Sequence, residues 1–185
     1  MSSLEAELEA ARRTIHTDGY PMSIGELTNL YRDGELIIRP PFQRLFRWSD
    51  EQKSRLVESV LLGIPLPSIF VAQDESGRWE LVDGLQRMST LLQLQGLLDS
   101  AEYPPLVMTG TKYLPSLAGA TWDSEGGPTL SPAQRRDIKR AKVDLKIIQR
   151  ESDSKAKFDL FQRLNSFGSQ PRSTMSGAVR GRAVK

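Results

Sequence analysis

Three separated stretches of the chain hold residue types suited to binding phosphate. The first, VDGLQRMSTL (residues 82–91), ends an apolar run in Asp83-Gly84 and then sets Gln86, Arg87, Ser89 and Thr90 where a helix begins. A strand that turns through Asp-Gly into a helix presents free backbone N–H groups at the positive end of the helix dipole, the geometry of an anion site. Gly84 lets the backbone come close to a phosphate, and Arg87 can offer a two-pronged guanidinium. Ser89 and Thr90 can add hydroxyl donors. The same residues also read as an ordinary turn, with Asp83 capping the helix, Gly84 making the bend and Arg87 in solvent.

The second stretch, RPPFQRLFRW (residues 39–48), sets three arginines among two phenylalanines and a tryptophan. Its Pro-Pro pair fixes an extended entry from which Gln43 and Arg44 can address a ligand. Aromatic and basic residues so interleaved suit nucleotide or nucleic-acid contact by stacking and charge; they equally suit core anchors beside solvated arginines. In the third, FDLFQRLNSFG (residues 158–168), Phe158, Phe161 and Leu164 form an apolar helical stripe, with Arg163 and Asn165 near the helix end before Gly168. A basic run, RRDIKRAK (residues 135–142), brings Arg135, Arg136, Lys139, Arg140 and Lys142 together. A solvated helix face and contact with a phosphate backbone are its two readings.

Absences narrow the chemistry. There is no phosphate-binding GxxxxGK[ST] loop, no GxGxxG and no HExxH. With no cysteine and His16 as the only histidine, disulfides, thiolate metal sites and histidine-rich metal centres are excluded, and no Ser/His/Asp arrangement for protease-type hydrolysis is in sight. No apolar run reaches the ~18 residues of a membrane span, and the acidic N-terminus lacks the apolar core of a signal peptide. A cytoplasmic protein is the expectation. The pI of about 9.0 suggests a nucleic-acid partner, yet the last fifteen residues carry Arg172, Arg180, Arg182 and Lys185 and no acid. Without them the formal +2 of the chain turns slightly negative, so the basicity belongs to a Gly/Ser-rich tail with the composition of disorder.

The elements that must position these groups are legible from caps and periodicity. Residues 4–16 have helix formers with Leu4, Leu8 and Ala11 on one side. Ser23 caps a helix that Gly34 stops, and LIIR is a short strand. Ser49 and Gln52 form a capping box for a helix with Leu56, Val57, Val60 and Leu61 as its apolar face. SIFVAQ and WELVD make a hairpin around DESGR, and the helix after Gly84 turns Met88, Leu91, Leu92 and Leu98 inward. Residues 100–130, rich in Pro, Gly and Ser, read as a long irregular insertion with the composition of a mobile segment. Ser131 and Pro132 open another helix, VDLKIIQ alternates as a strand, and a last helix ends at Gly168. Strands and helices mix without regular βαβ alternation, which is the pattern of an α+β domain.

In order and spacing, these segments resemble the N-terminal domain of GmrSD-type, DNA-modification-dependent restriction proteins, a family marked by a DGQQR motif and related to the ParB/sulfiredoxin fold. PPFQRLFRW matches the family's Pro-x-Tyr/Phe-Gln-Arg-x-Tyr/Phe-x-Trp. LLGIPLPSIFV matches its helix leading into IP-x-P, DGLQRMSTL its DGQQR box, and FQRLNSFG its F-x-x-[IL]-N-x-x-G. The resemblance covers about residues 23–170. It implies an α+β, ParB/sulfiredoxin-like domain with a small mixed sheet or hairpin surrounded by helices, preceded by an arm over residues 1–22 and followed by a tail over 171–185.

The resemblance also implies a site. Asp83, Gln86 and Arg87 would carry the chemistry, with Gly84, Ser89, Thr90, Gln43, Arg44 and Asn165 around the phosphates of a nucleoside triphosphate that brings its own Mg²⁺. No protein-held metal is expected. Relatives couple triphosphate binding and hydrolysis to attack on foreign DNA, often through an HNH-type nuclease half whose histidines this chain lacks. The expected function is therefore a nucleotide-binding module of a restriction or anti-phage system, not a nuclease by itself. Leu85 stands where the family has the first Gln of the box, which removes an amide able to orient a water or a base and leaves hydrolysis open. The alternatives are a non-enzymatic ParB-like DNA-binding or adaptor domain acting with a partner nuclease, with Arg135, Arg136, Lys139, Arg140 and Lys142 as DNA contacts, and a remnant that assembles with a partner but has lost its ligand. The tail departs from the family pattern and reads as truncated, diverged or frame-shifted.

Overall fold

The structure, a computed structural model, describes residues 3–12, 16–38, 47–98, 101–150, 152 and 154–167. Its elements run α1 (Ser3–Arg12), β1 (Thr17–Ser23), α2 (Ile24–Arg32), β2 (Leu36–Ile37), α3 (Asp50–Leu61), β3 (Ile69–Gln73), β4 (Trp79–Asp83), α4 (Leu85–Leu94), a 3₁₀ turn (Pro115–Leu117), α5 (Pro132–Arg140), β5 (Lys142–Ile148) and α6 (Ser154–Phe167). The class is α+β, as the sequence pattern indicates.

The strands form one five-stranded mixed sheet in the order β1-β5-β3-β4-β2. β3 and β4 are the antiparallel hairpin read from the sequence, joined by a turn whose Asp74 carboxylate accepts from the N–H groups of Ser76 and Arg78. β5 runs parallel to β3 and antiparallel to β1. Its alternation is visible as burial of Val143, Leu145 and Ile147 against exposure of Lys142, Asp144 and Lys146.

One strand escaped the sequence reading. Residues 17–22, assigned there to an N-terminal arm, belong to β1, although Gly19 and Pro21 both argue against a strand. Its place at the sheet edge resolves the conflict. An edge strand tolerates proline, and a Cβ on Gly19 would come within 2.7 Å of the Leu145 carbonyl oxygen, so that close approach needs glycine.

Helix α4 is the axis of the packing. Every residue from Met88 to Leu94 is buried. Met88 and Leu92 join Met22, Leu27, Leu36, Ile69, Val71, Val143, Leu145 and Ile147 in a core between α2, α4 and the sheet. Leu91 and Leu94 face a second core with Ile24, the α3 side chains Leu56, Val57 and Val60, and Ile138 of α5. A helix apolar on most of its circumference has to lie between two layers, and α4 does.

The 100–130 insertion is irregular, but it is packed into the molecule. Leu106, Met108, Leu117, Ala120, Trp122 and Leu130 supply much of the second core. Glu58 of α3 anchors it: the carboxylate accepts from the Thr111 hydroxyl and from the N–H groups of Tyr113 and Leu114. Ser54 accepts from the N–H of Thr109 one turn earlier. Buried backbone groups in an irregular segment need such partners, and α3 provides them.

Candidate functional site

The start of α4 follows from Gly84. Its φ of 99° lies in the left-handed region, which lets β4 turn directly into the helix. A Cβ there would meet Ile69 Cγ1 at 3.1 Å and Arg87 Nη2 at 3.2 Å. The N-cap makes no side-chain capping bond, so Asp83 does not cap the helix. Its Oδ2 instead accepts from Arg87 Nη2 at 3.2 Å, an i,i+4 pair across the first turn.

Arg87 is held from two sides. Nη2 donates to Asp83 and, at 3.1 Å, to the Ser68 carbonyl after the IPLP turn. Its side chain is only 15% exposed, and its Nε is buried with no hydrogen-bond partner. A buried guanidinium N–H left unpaired costs about 1–3 kcal/mol, a cost that a ligand or water oxygen at that point would remove.

Beside Arg87 opens a cleft of about 390 Å³, lined by Trp48, Gln52, Arg55, Leu56, Ser59, Pro65, Leu66 and Pro67. Its lining combines Trp48, leucines and prolines with two arginines. No carboxylate and no histidine is among these lining residues. Such a surface is complementary to an anion that also has an apolar or aromatic part.

The predicted site residues separate into groups. Gly84, Asp83 and Arg87 stand together at the junction of β4 and α4. Gln86 is engaged nearby: its Oε1 accepts from the N–H groups of Arg47 and Trp48, at 2.8 and 3.1 Å, and straps that segment to the first turn of α4. Ser89 and Thr90, expected beside the phosphates, are fully buried, and neither lines the cleft. The Thr90 hydroxyl donates to the Gln86 carbonyl one turn back. The physical reason is the position of α4 between two cores, which turns its second turn inward whatever its polarity. Gln43 and Arg44 lie outside the described residues. So does the side chain of Asn165, whose backbone is in α6, the helix that packs against β4.

Of the basic run, Arg136, Lys139, Arg140 and Lys142 are exposed. Arg135 pairs with Asp123 at 3.4 Å, and Lys139 lies 5.8 Å from the centre of the Trp122 ring. Among the described residues no three potential metal ligands of the His, Cys, Asp and Glu types cluster, and no helix is long and apolar enough to cross a membrane.

Sequence reasoning missed Arg55 and Ser59. The signal was present: Gln52, Arg55 and Ser59 recur at spacings of three and four and so share one side of α3, next to the apolar face.

Residues 24–173 match the family model described as the GmrSD restriction endonuclease, N-terminal domain. No curated protein and no solved structure matches the chain.

Proposed function

Because the chain belongs to the family of GmrSD restriction endonuclease N-terminal domains, a restriction-system module, we propose that it serves such a DNA-targeting system by binding a nucleoside triphosphate in the Arg87 cleft. The observation that carries this reading is Arg87 itself. A guanidinium fixed by Asp83 and Ser68 borders a cleft that a second arginine also lines. Held in place before the ligand arrives, such a group loses little entropy on meeting a phosphate.

Binding, rather than efficient turnover, is the reading these residues support. The carboxylate beside the cleft, Asp83, is taken up by Arg87, no histidine is in the described lining, and Leu85 stands where the family box has an amide. Mg²⁺ would arrive with the nucleotide, as Mg²⁺ commonly does, held by phosphate oxygens with Asp83 as the one carboxylate of the box. Bound there, it would neutralise phosphate charge. Titration of the protein with Mg²⁺-nucleoside triphosphates, in wild type and Arg87→Ala, tests the proposal; equal binding, or none, in both proteins contradicts it.

The exposed cations Arg136, Arg140 and Lys142 favour a second reading, in which this face contacts a DNA backbone directly or beside a partner nuclease. The two readings are compatible, since Lys142 borders a neighbouring groove that shares Pro65 and Leu66 with the Arg87 cleft.

A further inference from the structure

We propose that Arg55 is a second phosphate-binding residue of the cleft, and that Trp48 with Leu56, Pro65, Leu66 and Pro67 seats the base of a nucleotide. This rests on the nucleotide reading above and specifies how the ligand lies.

Arg55 belongs to none of the motif segments. It is exposed on α3 and lines the same cleft as Arg87. Among the described residues its guanidinium makes no ion pair within 4 Å, whereas Arg78, Arg87 and Arg135 each do, although its charge helps to lower the pKa of Glu51 and Glu58 on the same helix. Its backbone is rigidly placed. The Ser49–Gln52 capping box fixes the start of α3, and Leu56, Val57 and Val60 bury the adjacent face. Arg87 already has Asp83 as a counter-charge, and the Arg55 charge is felt by Glu51 and Glu58 on its own helix; two guanidinium groups at one cleft still give a polyphosphate a pair of charged donors.

The rest of the cleft does not suit a bare polyphosphate. One aromatic and four aliphatic or prolyl side chains line it, an apolar surface that inorganic phosphate would leave unused. A base would cover it, stacking on Trp48. The Gln86 amide oxygen fixes the backbone N–H groups of Arg47 and Trp48 to the turn that carries Arg87, and the partly buried Trp48 side chain packs against the core that contains Leu56. The volume of about 390 Å³ falls within the roughly 300–1,000 Å³ of sites for small organic ligands.

Calorimetric titration of the full chain separates the parts. Wild type, Arg55→Gln, Trp48→Leu and Arg87→Ala would each be titrated with Mg²⁺ complexes of the four nucleoside triphosphates and of inorganic tripolyphosphate, with melting curves as the folding control. Arg55→Gln is expected to weaken nucleotide and tripolyphosphate alike, by about tenfold or more. Trp48→Leu is expected to weaken nucleotides by about fivefold or more while leaving tripolyphosphate unchanged. Should Trp48→Leu fail to fold, Trp48→Phe keeps a smaller ring, and the predicted nucleotide-only loss is then smaller but of the same kind. If Arg87→Ala loses binding while Arg55→Gln binds as wild type, the role of Arg55 is overturned and the nucleotide reading stands. If wild type binds tripolyphosphate as tightly as any nucleotide, the base seat is overturned. If wild type binds neither probe, this inference and the nucleotide reading fall together.

Discussion

Arg87 borders the cleft because Gly84 permits it. The residue before α4 must adopt a φ of 99° with 3.2 Å between its missing Cβ and the guanidinium, so glycine sets both the turn and the room for the side chain. Gly84→Ala is expected to lower unfolding stability by about 1–2 kcal/mol from the left-handed backbone alone. It should also weaken ligand binding by pushing Arg87 from its acceptors. Urea unfolding measures the first effect and titration the second. An alanine variant with unaltered midpoint and affinity would show that the left-handed turn is dispensable. At this scale the box was only half legible. The turn at Gly84 and the helix after it were readable, but the sequence could not show that Ser89 and Thr90 turn inward or that Asp83 pairs with Arg87 rather than capping the helix.

Among the elements, α3 has two tasks on two faces. One side lines the cleft through Gln52, Arg55 and Ser59; the other holds the 100–130 insertion through Glu58 and Ser54. The hydrogen bond from Thr111, with those from the Tyr113 and Leu114 N–H groups, lowers the Glu58 pKa from its ordinary 4.5, against the opposing effect of burial. A carboxylate with a depressed folded-state pKa contributes stability in full above its unfolded value and loses it as the pH falls through the folded one. Melting temperatures from pH 7 to pH 3 should therefore show Glu58→Gln less stable at neutral pH, with the gap to wild type closing in acid. Parallel curves would contradict the anchor. Caps such as Ser49-Gln52 and Ser131-Gln134 were readable because their chemistry is local. β1 and the insertion were not. β1 depends on pairing with β5, more than a hundred residues away, and Leu106, Met108 and Trp122 reach the core with no period to announce it.

For the molecule as a whole, the sheet and the two cores leave α4 starting at the surface and ending inside. Arg87 in the first turn of α4, one side of α3 and the Pro65–Pro67 turn meet at one cleft. Trp48, the Pro65–Pro67 turn and Arg87 come to it from three of the motif segments, and Arg55 borders it from outside them. If the exposed cations of α5 and Lys142 meet a DNA backbone, log affinity should fall with log salt, and Arg136→Ala with Arg140→Ala should flatten that slope by about two phosphate contacts. An unchanged slope would remove the DNA reading and leave the nucleotide cleft untouched. The cleft itself is tested most directly by titrating wild type and Arg87→Ala with Mg²⁺-nucleoside triphosphates under one set of conditions. The arrangement at Arg87 predicts saturable binding by wild type and a loss of about tenfold or more in the variant, with both proteins folded; equal affinities, or no binding by wild type, would contradict it.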